Sequence, residues 1–237
     1  MEKVAYITGG SKGIGYGIAE ALVNDGYHVA ISGRTKETID EAAKNLNKIK
    51  SGAVLGIVSD VRKQADEEAA VGQIIDKWGR LDVLVANAGL GHFASIEEMT
   101  ADQWNQVIDT NLTGVFHSIK AATEELKKNK GYFITIASLA GANFFPKGAA
   151  YNASKFGLVG FTQAVMLDLR PYEVKTTTIM PGSVATHFND NEPGEKDSWK
   201  IQPEDVGQMV SDLLNMHPRT LPSKIEVRPS VPPSAKK

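Results

Sequence analysis

The chain has 237 residues, 42% hydrophobic and 23% charged, with a net charge of −2. That balance suits a globular protein and speaks against long disorder or a nucleic-acid surface. The absence of cysteine excludes disulfides, thiolate nucleophiles and Cys-ligated zinc, and five histidines far apart in sequence give no reason to expect a metal.

Short apolar runs alternate with amphipathic segments along the whole chain. The runs are VAYIT (4–8), HVAIS (28–32), AVLGIV (53–58), LDVLVA (81–86), YFITIA (132–137), VKTTTIM (174–180) and KIEVR (224–228). Helical patterns lie between them over 13–25, 36–47, 63–78, 100–128, 150–169 and 203–215. Continuous apolar strands that alternate with helices predict a parallel sheet covered on both faces. The expected fold is α/β, a doubly wound, mostly parallel seven-stranded sheet in a single domain over 1–237. A polar stretch at 183–202 reads as a mobile substrate lid and the Pro-rich 228–237 as a flexible tail. No apolar run approaches the roughly 18 residues that cross a bilayer, and a cytoplasmic protein is expected.

The first strand runs directly into TGGSKGIG, Thr8 to Gly15, which opens the first helix. Glycines there allow a tight turn and let backbone N–H groups approach a pyrophosphate at the positive helix end. Gly9, Ser11, Lys12, Gly13, Ile14 and Gly15 are therefore candidate cofactor contacts. The residue about 20 positions on, past the second strand, reads the adenosine ribose, and an acid there selects NAD. Here no carboxylate occurs between Gly26 and Lys36, and Arg34 follows the strand. Arg34 and Lys12 together suit a 2′-phosphate, so NADP(H) is the expected cofactor.

Tyr151 and Lys155 in YNASK are four residues apart, hence on one face of a helix and within reach of each other. A phenol beside an ammonium is a candidate acid and base, because the cation favours phenolate and lowers a pKa otherwise near ~10.

With the glycine turn, ANAG (Ala86–Gly89), Ser138 and YNASK in this order, residues 3 to 227 resemble a short-chain dehydrogenase/reductase of Rossmann-like fold. The resemblance implies a catalytic group of Asn111, Ser138, Tyr151 and Lys155. It also implies cofactor contacts at Asp60, Val61, Asn87, Ala88, Gly89, Pro181, Gly182, Val184 and Thr186, beside Tyr151 and Lys155. In it Ser138 donates to a substrate oxygen, Lys155 holds the nicotinamide ribose, and Asn111 holds a water linked to Lys155. Ala86 stands where the family usually has asparagine.

Loops after Ser138 and Gly89 carry Leu139, Phe144, Phe145 and Phe93, and the lid carries Phe188; these five are the expected substrate walls. Only Lys147 among the cations lies near Ser138 in sequence, so the expected substrate is an uncharged, apolar or aromatic ketone, aldehyde or diketone reduced by NADPH. The alternative is a 3-oxoacyl-[acyl-carrier-protein] reductase, whose acidic partner needs cations. Residues 183–202 offer instead four acids against two lysines. A non-enzymatic NADP-sensing scaffold would not need Ser138, Tyr151 and Lys155 together, and a sugar-nucleotide epimerase would need more chain after Pro181. Ala153, Phe156, Gly160, Gln163 and Leu167 form a mostly apolar stripe opposite Tyr151, so a homo-oligomer, dimer or tetramer, is expected through the 150–169 helix.

Overall fold

In the computed structural model, residues 2–188 and 191–233 are described. Two positions of the expected lid, Asn189 and Asp190, and the last four of the expected tail lie outside them.

Seven parallel strands form one sheet in the order β3-β2-β1-β4-β5-β6-β7. They are β1 (Val4–Thr8), β2 (His28–Gly33), β3 (Val54–Val58), β4 (Val83–Ala86), β5 (Tyr132–Ile136), β6 (Lys175–Pro181) and β7 (Lys224–Val227). Strands β1, β4 and β5 are buried at every position, as apolar runs covered on both faces must be. Side-chain alternation divides them between two cores. Ala5 and Ile7 face α1 (Gly13–Asn24), α2 (Lys36–Leu46) and α7 (Pro203–Asn215). Val4 and Tyr6 face α3 (Gln64–Trp78), α5 (Gly114–Asn129) and α6 (Ala149–Leu169).

Strand order reverses between β1 and β4, and a crevice opens there at the carboxyl ends of the strands. The β4 loop is fixed to the glycine turn by its own hydrogen bonds. Asn87 Nδ2 donates to the carbonyls of Thr8 and Gly9 at 3.0 Å, and Thr8 Oγ1 accepts from the amides of Asn87 and Ala88 at 3.1 Å. Ala86 itself is buried and pairs with Thr135 of β5.

The helix expected over 100–128 is broken. It runs as α4 (Ala101–Ile108), a π turn at Asp109–Thr113 and then α5. The amide of Gly114 bonds back to the carbonyl of Asp109, a five-residue step that inserts one residue into the ladder. Asn111 lies in that turn, fully buried. The expected lid is stitched at its base by a parallel bridge between Val184 and Ile201, with Ala185 donating to the Ile201 carbonyl at 2.9 Å.

Candidate active site

A cleft of about 1140 Å³ follows the carboxyl ends of β1 to β6. The turn that opens it needs glycine. Gly9 has φ +66° and a Cβ there would sit 2.9 Å from Ala88 Cα; Gly13 has φ +58°. Gly15 lies under the turn, where a Cβ would meet the Gly9 carbonyl oxygen at 2.4 Å. Helix α1 then starts at Lys12 with no side-chain cap and no acid in its first turn. Its leading N–H groups stay free and positive, which is what an anion requires. This bare helix start, with no room for side chains around it, fits the pyrophosphate of a dinucleotide.

Ser11, Lys12, Ile14, Arg34, Asp60, Val61, Asn87, Ala88, Gly89, Pro181, Gly182, Val184 and Thr186 line the cleft with Gly9 and Gly13, so of the expected cofactor contacts only Gly15 sits beneath the lining. Lys12 and Arg34 form no ion pair among the described residues. Asp60 is held by Arg62, whose guanidinium bonds both carboxyl oxygens. That pairing keeps the Asp60 carboxyl below its usual range.

At the other end, Ser138, Tyr151 and Lys155 converge from the end of β5 and from α6. Ser138 Oγ accepts from the Ala140 amide at 3.1 Å, which leaves the hydroxyl proton free to donate. Lys155 is buried, its Nζ donates to the Ile136 carbonyl at 3.0 Å, and burial brings its pKa down to about 8. Burial likewise raises the Tyr151 phenol, and the nearby Ser138 hydroxyl offsets part of that rise. The expected lowering of the phenol by the ammonium is thus outweighed in the protein alone. Lys155 Nζ lies 5.7 Å from the ring centroid, and loss of water is the larger influence on the phenol.

Asn111 reaches the site through its amide. Its Nδ2 donates to the Leu90 carbonyl at 2.9 Å and to Ser154 Oγ at 3.0 Å, while Oδ1 accepts from the Leu90 amide at 2.9 Å. The side chain therefore ties the β4 loop to α6, and its amide is committed to protein groups rather than left free for a water.

Among the five expected substrate walls, Phe188 lines the cleft. Phe93 lies over Tyr151 at 5.5 Å between centroids, Phe188 at 5.7 Å from the same ring, and Phe145 at 6.0 Å from Phe93. These rings form an aromatic mouth around the phenol. Leu139 and Phe144 depart from expectation. Leu139 turns toward Gly182, with its Cδ1 3.0 Å from where a Cβ on that glycine would be. Phe144 is 86% exposed and outside the ring cluster. Lys147 is also absent from the lining, whereas His92, His187 and Lys200 belong to it. Lys200, one of the two lysines of the expected lid, is carried to the cleft by the Val184–Ile201 bridge and pairs there with Asp197 at 2.7 Å. Thr110, in the π turn beside Asn111, also lines the cleft, a position that a continuous helix over 100–128 did not single out.

The short chain dehydrogenase family model matches residues 3–197. The chain belongs to the short-chain dehydrogenase/reductase family. An uncharacterised oxidoreductase of Staphylococcus saprophyticus is 32% identical over 231 residues, 97% of this chain and 98% of its own. An alcohol dehydrogenase from Thermococcus sibiricus, solved with 5-hydroxy-NADP, superposes with a TM-score of 0.92 at 29% identity, covering 100% of this chain and 99% of the other. A 3-ketoacyl-(acyl-carrier-protein) reductase from Brucella melitensis, solved with NADH, gives 0.88 at 26% identity, covering 96% and 97%. The protein is thus an oxidoreductase of this family, and its structural neighbours include complexes with both kinds of nicotinamide cofactor.

Proposed function

We propose that this short-chain dehydrogenase/reductase is an NADPH-dependent carbonyl reductase acting on an uncharged, apolar or aromatic ketone, aldehyde or diketone. The observation that carries the reading is the Tyr151 phenol, half-buried beside Ser138 and ringed by Phe93 and Phe188. Burial keeps the phenol protonated at neutral pH, the form a general acid needs for reduction. Ser138, with its proton free, donates to the same substrate oxygen and stabilises the negative charge that develops there. Lys155 and the Ile136 carbonyl hold the floor under both, and Asn111 keeps the Leu90 loop against α6. When bound, the reduced nicotinamide supplies the hydride. The glycine turn and the open start of α1 are suited to hold its pyrophosphate, and Arg34 with Lys12 a 2′-phosphate.

The test is oxidation of NADPH across a panel of aromatic diketones, simple aldehydes, steroids, acetoacetyl thioesters and keto acids. Diketones and aldehydes are expected to lead. Activity confined to charged keto acids would overturn the apolar reading. The second reading, a 3-oxoacyl-[acyl-carrier-protein] reductase, is favoured by the Brucella neighbour. Against it stands the acidic stretch after Ser183, although Asp197 there is neutralised by Lys200. A clear preference for the thioester would decide for it.

Assembly is part of the same proposal. On α6, Phe156 is 43% and Leu167 60% exposed, and the space beside Gly160 is empty. A second copy of the helix fits this face.

A further inference from the structure

A buried polar group at the adenosine end of the cleft has no part in the reaction. Glu67 on α3 is fully buried behind Ser32, near the end of β2, and Ser59, just past the end of β3. Both serines line the cleft. Glu67 Oε1 accepts from Ser59 Oγ at 2.6 Å and from the Tyr6 hydroxyl at 3.0 Å, and that hydroxyl also lies 3.0 Å from Ser32 Oγ. Oε2 meets no partner, and no cation pairs with the carboxyl, among the described residues.

With Glu67 held as a carboxylate, which is part of the inference drawn below, counting protons gives this network one polarity. A carboxylate only accepts, and Tyr6 has one proton to give. With that proton directed to Glu67, Ser32 must donate to Tyr6, while Ser59 already donates to Glu67. Every hydroxyl proton then points inward. Ser32 and Ser59 are left with oxygen lone pairs on the cleft side, backed by a negative charge that no cation offsets. Such a wall favours a ligand hydroxyl or amino group and works against a phosphate, which is itself an acceptor and an anion. Arg34 and Lys12, lining the same cleft, act in the opposite sense.

We propose that the Glu67 carboxylate is a specificity-determining residue that holds back the preference for a 2′-phosphorylated dinucleotide created by Arg34 and Lys12. This rests on the cofactor reading above and deepens it. Discrimination becomes a balance between two cations in the cleft and one buried anion behind it. A role confined to holding the fold would weaken both cofactors together, whereas a charge role changes their ratio.

The experiment measures dissociation constants for NADPH and NADH by calorimetry, with no carbonyl substrate, in the wild type and in Glu67→Gln. The ratio of the NADH to the NADPH constant should rise on the order of tenfold, the scale of one buried charge acting across a few side chains. A second variant, Tyr6→Phe with Glu67→Leu, removes both ends of the buried pair and leaves only the Ser32 and Ser59 hydroxyls, which border the cleft, without these partners; it should show the same rise. A ratio within about twofold of wild type in either variant, or equal weakening of both cofactors, overturns the proposal. Wild-type protein that binds neither nucleotide would overturn the cofactor reading itself. A wild type that prefers NADH would overturn the dominance of Arg34 and Lys12 while the shift on Glu67→Gln still decides this point.

Discussion

Lys155 carries its charge where the fold resists it. Its pKa falls from 10.5 to about 8 because burial penalises the ammonium, so the folded protein binds that proton less tightly than the unfolded chain. The penalty is full below pH 8, shrinks as pH rises from about 8 to 10.5, and is gone above. It amounts to on the order of 3 kcal/mol, partly offset by about 1 kcal/mol from the bond to Ile136. Lys155→Met should therefore abolish reduction yet raise Tm at pH 7, with the gain over wild type fading toward pH 10.5. Thermal melts at several pH values check this, and a variant less stable than wild type at pH 7 would count against it. Arg34 supports a second prediction at this scale. Arg34→Asp should reverse the NADPH preference by placing an acid where a ribose hydroxyl can meet it. Wild-type kcat/KM with NADH equal to or above that with NADPH would refute the cation argument.

At the scale of elements, the glycine turn and the π turn impose different demands. Gly9→Ala combines a positive φ with a contact of 2.9 Å to the Ala88 backbone, so the turn must shift away from the β4 loop. Cofactor affinity should fall by at least tenfold, while substitution at Gly26, with φ +89° but open space around it, should leave affinity unchanged and cost only backbone strain of about 1 kcal/mol. Calorimetric titration with NADPH separates the two. The glycine turn was legible because four glycines where a strand passes into a helix announce themselves. The π turn was not, since one inserted residue leaves the apolar periodicity of 100–128 nearly intact, and only the buried amide of Asn111 betrays it. Glu67 escaped for another reason. An acid in the first turn of α3 reads as a partner for the helix dipole, and nothing local says that it faces Tyr6 across the core. Phe144 shows the reverse error, for an aromatic in the loop after Ser138 reads as a pocket wall even when that loop turns it to solvent.

For the whole molecule, the seven strands and the cover on both faces of the sheet were legible in the alternation of apolar and amphipathic segments, because the central strands are short and buried on both faces, whereas the strand order is set by packing that the alternation does not encode. What covers the outside of α6 was legible only as a demand. Phe156, Leu167 and Phe116 on the adjacent α5 remain exposed on one copy. The assembly reading predicts dimers or tetramers by light scattering at micromolar concentration, and Leu167→Glu should shift them toward monomer. A wild type that is strictly monomeric would refute it.

Helix α1, whose first turn opens the cofactor cleft, leans on the opposite end of the chain. Gly17 and Gly207 are so close that a Cβ on Gly207 would sit 2.4 Å from the Gly17 carbonyl oxygen, and one on Gly17 would sit 2.5 Å from that of Pro203. During synthesis, the first helix to emerge therefore waits for nearly the last before its apolar face is covered. Strand β1 waits in the same way for Asp82, which accepts from the Val4 amide at 2.8 Å across 78 residues. A ribosome-bound chain shorter than about residue 203 exposes the α1 surface that α7 would cover, and nucleotide affinity should arrive abruptly, once α7 can pack, instead of growing with chain length.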